Sequence, residues 1–281
     1  MTVDRPLVLT TDFGLTDPYV GVMKGVILSI NPRASIIDLT HQIQPQNLQQ
    51  ALFLLGTNHK FFPKESIHLV VVDPGVGTDR KAVLLRTPDA TFLAPDNGVL
   101  SGVLSDYLGS TPEGLDLAPI PPQCTAYQLT NSDYWRHPVS STFHGRDIFA
   151  PVAAHLSLGI DPASVGEPLT EMVWLPAPKP TIDGPRIIGQ VLYADHFGNL
   201  ITNIPESMLK GGGAVQVEVK GYRIKGLSRT FQDGNETIPR QPLAILGSNG
   251  YLEIAVREGS AADLIVPGDS ETVWVTLSPP A

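Results

Sequence analysis

Short apolar runs, several of them ended by a carboxylate or a glycine, recur through the first half of the chain. Residues 6–11, 35–40, 67–73 and 82–87 are rich in Val, Ile and Leu over strand-like lengths. Between the first three lie "DPYVGVMKGVILSI" and "NLQQALFLLGTNHKFF", whose apolar positions recur at helical spacing. Strands alternating with helices predict a parallel or mixed sheet covered on both faces. Pro18 suits a first helical turn, with Asp17 as its expected N-cap. A further helix is predicted over "HGRDIFAPVAAHLSLG". The grammar then changes. "WLPAPKPTIDGPR", residues 174–186, holds four prolines and reads as a stiff linker. Beyond it "RIIGQVLYAD", "AVQVEVKGYRIKG", "PLAILG" and "TVWVTL" are strand-like and separated by Gly, Asn and Asp turns. The expected organisation is an α/β domain over 1–173, the linker, and an antiparallel barrel-like β domain over 187–281.

Composition narrows the possible partners. Forty-two per cent hydrophobic residues in 281 supply a buried core, and a single cysteine, Cys124, rules out an internal disulfide. No basic leader precedes an apolar segment at the N-terminus, and no 18-residue apolar run occurs. A cytoplasmic protein without a membrane partner is the expectation. With 19 basic against 28 acidic residues the net charge is −9, which disfavours nucleic acid and favours a cationic or neutral small ligand.

The candidate chemistry sits where apolar runs end. Ligands of open α/β sheets lie outside the carboxyl ends of the strands, and Asp12, Asp73 and Asp96 each follow such a run. In "VVDPGVGTDRKAVLL" a turn at Pro74, Gly75 and Gly77 returns Arg80 towards Asp73. His144, in "TFHGRDIFAP", stands before a small residue and the predicted helix, as a proton acceptor or water-orienting group. The other histidines, at 41, 59, 68, 137, 155 and 196, have no metal-ligand spacing, so no metal site is expected. There is neither a GxxxxGK[ST] loop nor a strand-linked GxGxxG.

Seven blocks in order, "TTDFGLTDPYVGVMKG", "IIDLTHQIQP", "VVDPGVGTDRKAV", "APDNG", "TFHGRDIFAPVAAHL", "ADHFGNLITNI" and "LGSNGYLEIAV", resemble the S-adenosyl-L-methionine (SAM) hydrolase family. These adenosine-forming enzymes, also described as SAM hydroxide adenosyltransferases, are relatives of the SAM-dependent fluorinase and chlorinase. The resemblance runs from about residue 6 to 276. It implies a homotrimer with active sites between subunits, and attack of water or hydroxide at ribose C5′ that expels methionine. It implies that Asp73, Arg80 and His144 hold and activate the water, that Asp12 ligates the ribose diol, and that Asp17 lines the methionine end. In the second domain it implies methionine contacts from Asp195 and Ser248, a substrate contact from Asn249, an adenine contact from Asn199, and apolar walls from Phe197 and Phe231. SAM is then substrate, and no cofactor is expected. The halogenases place a tyrosine where Asp73 stands, and the fluorinase a serine at the position of Gly145. A carboxylate at Asp73 disfavours halide capture. A SAM- or adenosine-binding module without turnover is the alternative from another class.

Overall fold

The computed structural model describes residues 5–112, 114, 116–210, 215–233, 240–268 and 270–277. The chain divides into two compact units, Met1–Ala177 and Pro178–Ala281. In the first, the elements run β1 (Leu7–Thr11), α1 (Tyr19–Ile30), β2 (Ile36–Thr40), α2 (Leu48–Asn58), β3 (Ser66–Val71), β4 (Ala82–Arg86) and β5 (Ala90–Pro95). There follow α3 (Ser101–Leu104), β6 (Asp116–Pro119), β7 (Thr125–Leu129), α4 (Ala150–Ser157), β8 (Gly166–Leu169) and β9 (Glu171–Trp174).

Seven strands form one mixed sheet in the order β2-β1-β3-β5-β4-β7-β8, while β6 and β9 pair separately. The β2-β1-β3-β5 half is parallel, and β4, β7 and β8 are added antiparallel. Alternate residues of the central strands enter opposite layers. Leu7, Leu9, Leu69 and Val71 pack with Met23, Ile27 and Val152 of α1 and α4, whereas Val70, Val72 and Phe92 pack with Leu55 and Val103 of α2 and α3. Burial on both faces is why these strands read as continuous apolar runs. Strand β5, central in the sheet, was hidden in the sequence because "ATFLAP" is short and ends in proline.

Two local expectations change. Pro18, not Asp17, occupies the N-cap of α1, and no side chain caps it, so Asp17 stays exposed in the preceding loop. The helix expected over 144–159 is a π-helical turn, Gly145–Phe149, running into α4. By contrast Asn47 caps α2 by accepting from the Gln50 N–H.

The second unit comprises β10 (Thr181–Asp183), β11 (Arg186–Ala194), β12 (Leu200–Pro205), β13 (Val215–Val219), β14 (Tyr222–Lys225), β15 (Pro242–Leu246), β16 (Tyr251–Val256), α5 (Ala261–Ile265) and β17 (Thr272–Leu277). Its strand order is β14-β13-β17-β11-β12-β16-β15, with neighbours antiparallel, and a bridge between Ser228 and Ile245 brings the two ends together as a nearly closed barrel. Within the proline-rich stretch, β10 pairs with β11. Ala214, at the head of one predicted strand, lies outside the described residues. Among the described residues no helix is long and apolar enough to cross a membrane.

His68 on β3 is fully buried, stacks on Phe92 at 4.9 Å, and has no hydrogen-bond partner on either ring nitrogen. Burial, with the nearby His59, pushes its pKa down to about 3. From pH 6.5 down towards 3 the unfolded chain therefore takes up a proton that the folded one refuses, and stability falls with pH. His68→Phe should remove this slope. Between pH 7 and pH 5, urea unfolding should show the wild type losing roughly 2 kcal/mol more than the variant, from about 1.4 kcal/mol per pH unit below 6.5.

Candidate active site

The carboxyl ends of parallel β1 and β3 deliver Asp12 and Asp73 to the same edge of the first sheet. After Asp73 the chain reverses: the Val76 N–H donates to the Asp73 carbonyl at 3.3 Å and the Thr78 N–H to the Gly75 carbonyl at 3.1 Å. Gly77 has φ +79°, and a Cβ there would lie 2.3 Å from the Ser141 carbonyl oxygen. The reversal lays Arg80 on Asp73, with Nε 3.0 Å from both carboxylate oxygens and the side chains only 10% and 5% exposed. The Phe149 ring supports the guanidinium from 5.6 Å.

Arg80 Nη2 lies 2.7 Å from His144 Nδ1. A guanidinium has no acceptor and keeps its protons, so His144 accepts through Nδ1. Its neutral ring then carries its hydrogen on Nε2. Burial, and next the positive charge of Arg80, hold the His144 pKa below the ordinary histidine value. The segment carrying His144 is tied down by Asp147, which is fully buried. Its carboxylate accepts from Arg146 Nε at 2.7 Å, Arg146 Nη2 at 2.8 Å, the Ser140 N–H at 2.9 Å and Arg136 Nη1 at 3.4 Å.

Asp12 Oδ2 accepts the Gln46 N–H at 2.7 Å, presented by a residue at φ +63° in the left-handed region. Burial raises the Asp12 pKa, the Gln46 bond opposes that, and the charge of Asp73 adds to the rise. Asp12, Asp73 and His144 line a pocket of about 280 Å³ with Phe13, Tyr19 and Phe143. These three rings meet edge to face or tilted at 5.3–6.0 Å. They were missed in the sequence, although "DFG" and "TFHG" place Phe13 and Phe143 beside the selected Asp12 and His144.

In the second unit a cleft of about 670 Å³ collects Asp195, Phe197, Asn199, Phe231 and Ser248. Asp195 Oδ1 accepts from the Phe197 and Asn199 N–H groups at 2.9 and 2.8 Å, and Oδ2 from Asn199 Nδ2 at 2.9 Å. Gly198, at φ +81°, closes this turn where a Cβ would lie 2.2 Å from Ser260 Oγ. The turn holds Phe197 outwards, 75% exposed, while Phe231 is 47% exposed. Glu253 shares the cleft and was not selected from sequence; burial, then the charge of Asp195, raises its pKa. Of the remaining expectations, Asp17 and Asn249 line neither pocket. Asp96, buried, accepts the Val173 N–H at 2.9 Å and ties β5 to β9 instead of joining the first pocket. Among the described residues no three His, Cys, Asp or Glu side chains are grouped to hold a metal ion.

An α/β unit bearing an Asp–Arg–His cluster at its strand ends, joined in one chain to a β-barrel unit with an aromatic cleft, defines a two-domain class. Residues 7–166 match the model of the SAM hydroxide adenosyltransferase N-terminal domain and residues 189–270 that of the C-terminal domain, and the chain belongs to this family. It is 39% identical to the (R)-S-adenosyl-L-methionine hydrolase of Thermus thermophilus, over 93% of this chain and 95% of that protein. A fluorinase of an Actinoplanes species is more distant, 28% identical over 92% and 91%. The crystal structure of an uncharacterized conserved protein from Thermotoga maritima superposes with a TM-score of 0.82 at 36% identity, covering 96% of this chain and 99% of that one.

Proposed function

We propose that this protein hydrolyses SAM to adenosine and L-methionine by in-line attack of water at ribose C5′. The observation that carries the reading is the bonded set Asp73–Arg80–His144, of which Asp73 and His144 line one pocket with Asp12. SAM's leaving group is a neutral thioether, so departure needs neither acid nor metal; the reaction needs an oriented, desolvated nucleophile. A carboxylate at Asp12 accepts both hydrogens of the ribose diol, and a lysine there would repel the sulfonium. His144, with its hydrogen on Nε2, donates to the water oxygen, which leaves Asp73 to receive the water's hydrogen. As the C5′–O bond forms, the C5′–S pair passes to sulfur, the sulfonium charge is discharged, and the proton leaves through Asp73. Phe197, Phe231 and Asn199 supply the surface for the adenine, and Asp195 and Ser248 the methionine contacts.

Incubation with SAM in excess chelator, followed by chromatography, tests the reading. Adenosine and methionine in equal amounts are the expected products. Unchanged SAM would leave a binding module, and 5′-halogenated adenosine formed in halide buffer would make the protein a halogenase. In the relatives' name, L already fixes the amino-acid carbon, so (R) describes the sulfonium sulfur; supplying the two epimers separately extends the test, with the (R) form expected to turn over faster. A homotrimer is the proposed assembly, on the family resemblance, and sedimentation velocity checks it.

A further inference from the structure

His41 is a titratable group that the reaction as written does not use, and it is almost wholly buried, with its residue 3% exposed. The register of the first sheet explains its location. Strand β1 pairs with β2 as Leu9↔Asp38 and then, after a one-residue slip, as Thr10↔Thr40, so that Thr11 and His41 come next, side by side. Thr11 Oγ1 lies 2.9 Å from His41 Nδ1 and also accepts the Phe13 N–H at 3.2 Å. On the far side His41 Nε2 is 3.0 Å from Asp38 Oδ1, a close contact off the N–H axis, while the other oxygen of Asp38 takes Lys24 Nζ of α1 at 2.6 Å. The His41 carbonyl accepts the Gly14 N–H at 2.8 Å.

We infer that His41, through Thr11 and with Asp38 behind it, is a positioning residue for the loop that carries Asp12 and Phe13. The inference deepens the proposed function, on which it rests, by assigning the group that sets recognition of the ribose diol. Thr11 has one hydroxyl hydrogen. His41 Nε2 faces the Asp38 carboxylate at 3.0 Å, where a bare lone pair would be repelled, so the imidazole carries its hydrogen on Nε2 and Nδ1 accepts that of Thr11, whose oxygen accepts the Phe13 N–H. Asp38 stands against Nε2 without a hydrogen bond to it and is itself held by Lys24 through its other oxygen. Two bonds from Thr11 and His41, at Phe13 and Gly14, fix the backbone on the C-terminal side of Asp12, while Gln46 holds its carboxylate. His41 touches no substrate in this scheme. Its effect is on where the Asp12 oxygens stand.

The test compares binding of adenosine and 2′,3′-dideoxyadenosine, by calorimetry, to the full-length wild type and to Asp12→Asn, His41→Phe, Thr11→Val and Thr11→Ser. The wild type should prefer adenosine, and Asp12→Asn should lose most of that preference. Thr11→Val, which keeps the shape but not the hydroxyl, and His41→Phe should each lower the adenosine-to-dideoxyadenosine affinity ratio by about tenfold, the size expected for one lost charge-assisted contact. Thr11→Ser should restore it. A purely structural role would lower the melting temperature and leave the ratio at its wild-type value, and that result overturns the inference. A wild type indifferent to the diol overturns the ribose assignment of Asp12 and the inference with it. Thr11→Val supplies the answer should His41→Phe fail to fold.

Discussion

Asp73→Asn is expected to lower SAM turnover by roughly 10²–10⁴-fold, the range of a lost general base, while adenosine affinity stays within about tenfold of wild type. The substitution keeps size and burial but replaces one acceptor oxygen of the Arg80 pair by an N–H, so that the guanidinium no longer lies on a carboxylate 3.0 Å away from both oxygens. The water loses its proton acceptor, and His144 loses the arginine orientation that fixes its hydrogen on Nε2. Adenosine contacts neither group in the proposed scheme. Single-turnover kinetics together with a separate adenosine titration check the split, and wild-type turnover in the variant would remove Asp73 from the reaction.

Asp147→Ala should cost about 3 kcal/mol of stability and reduce turnover as well. Removing one partner of a buried ion pair costs roughly 3–5 kcal/mol, and the lower end applies because Arg146 and Arg136 are 29% and 48% exposed and regain water. Urea unfolding at pH 7 should show a lower midpoint at unchanged slope. Burial works against the Asp147 charge, but the Arg146 fork and the Ser140 N–H outweigh it and hold the carboxyl below its ordinary 3.8. The stabilisation is therefore full above about pH 4 and is lost as pH falls through the lowered value. Turnover drops with stability because the loop fixed by Asp147 carries His144.

How much of this was legible depended on the distance between partners along the chain. Asp73 and Arg80 are seven residues apart across a turn with two glycines and a proline, so their meeting was readable from the turn alone. His144 was selected because of its neighbours in "TFHGRDIF", yet its orientation depends on an arginine 64 positions away. Asp96 illustrates the reverse error: it ends an apolar run as Asp12 and Asp73 do, but its use is a backbone N–H at residue 173. His41 had no signal of its own, since a buried histidine declares itself only through the register that puts Thr11 beside it. In the second unit, Asp195 and Asn199 were legible only through the resemblance carried by "ADHFGNLITNI", and the bonds between them span four residues. Strands β1 to β4 followed from their apolar, branched runs, whereas β5 and the cap of α1 did not, the cap because a proline beside an aspartate fits either order.

The close approach of Gly77 to the Ser141 carbonyl bears on how variants of this protein should be sampled. Gly77 does not line the pocket, carries no functional group and is exposed, so a mutant library aimed at pocket residues would pass it over, and a surface-entropy redesign would treat it as free. It is nevertheless the point at which the segment bearing Arg80 rests on the segment bearing His144. A methyl group there would wedge the two apart and uncouple the arginine from the imidazole without altering either residue. Library design for new substrates gains by randomising the aromatic walls at Phe13, Tyr19 and Phe143 while keeping this glycine constant, so that changes in selectivity are read against intact water-handling chemistry.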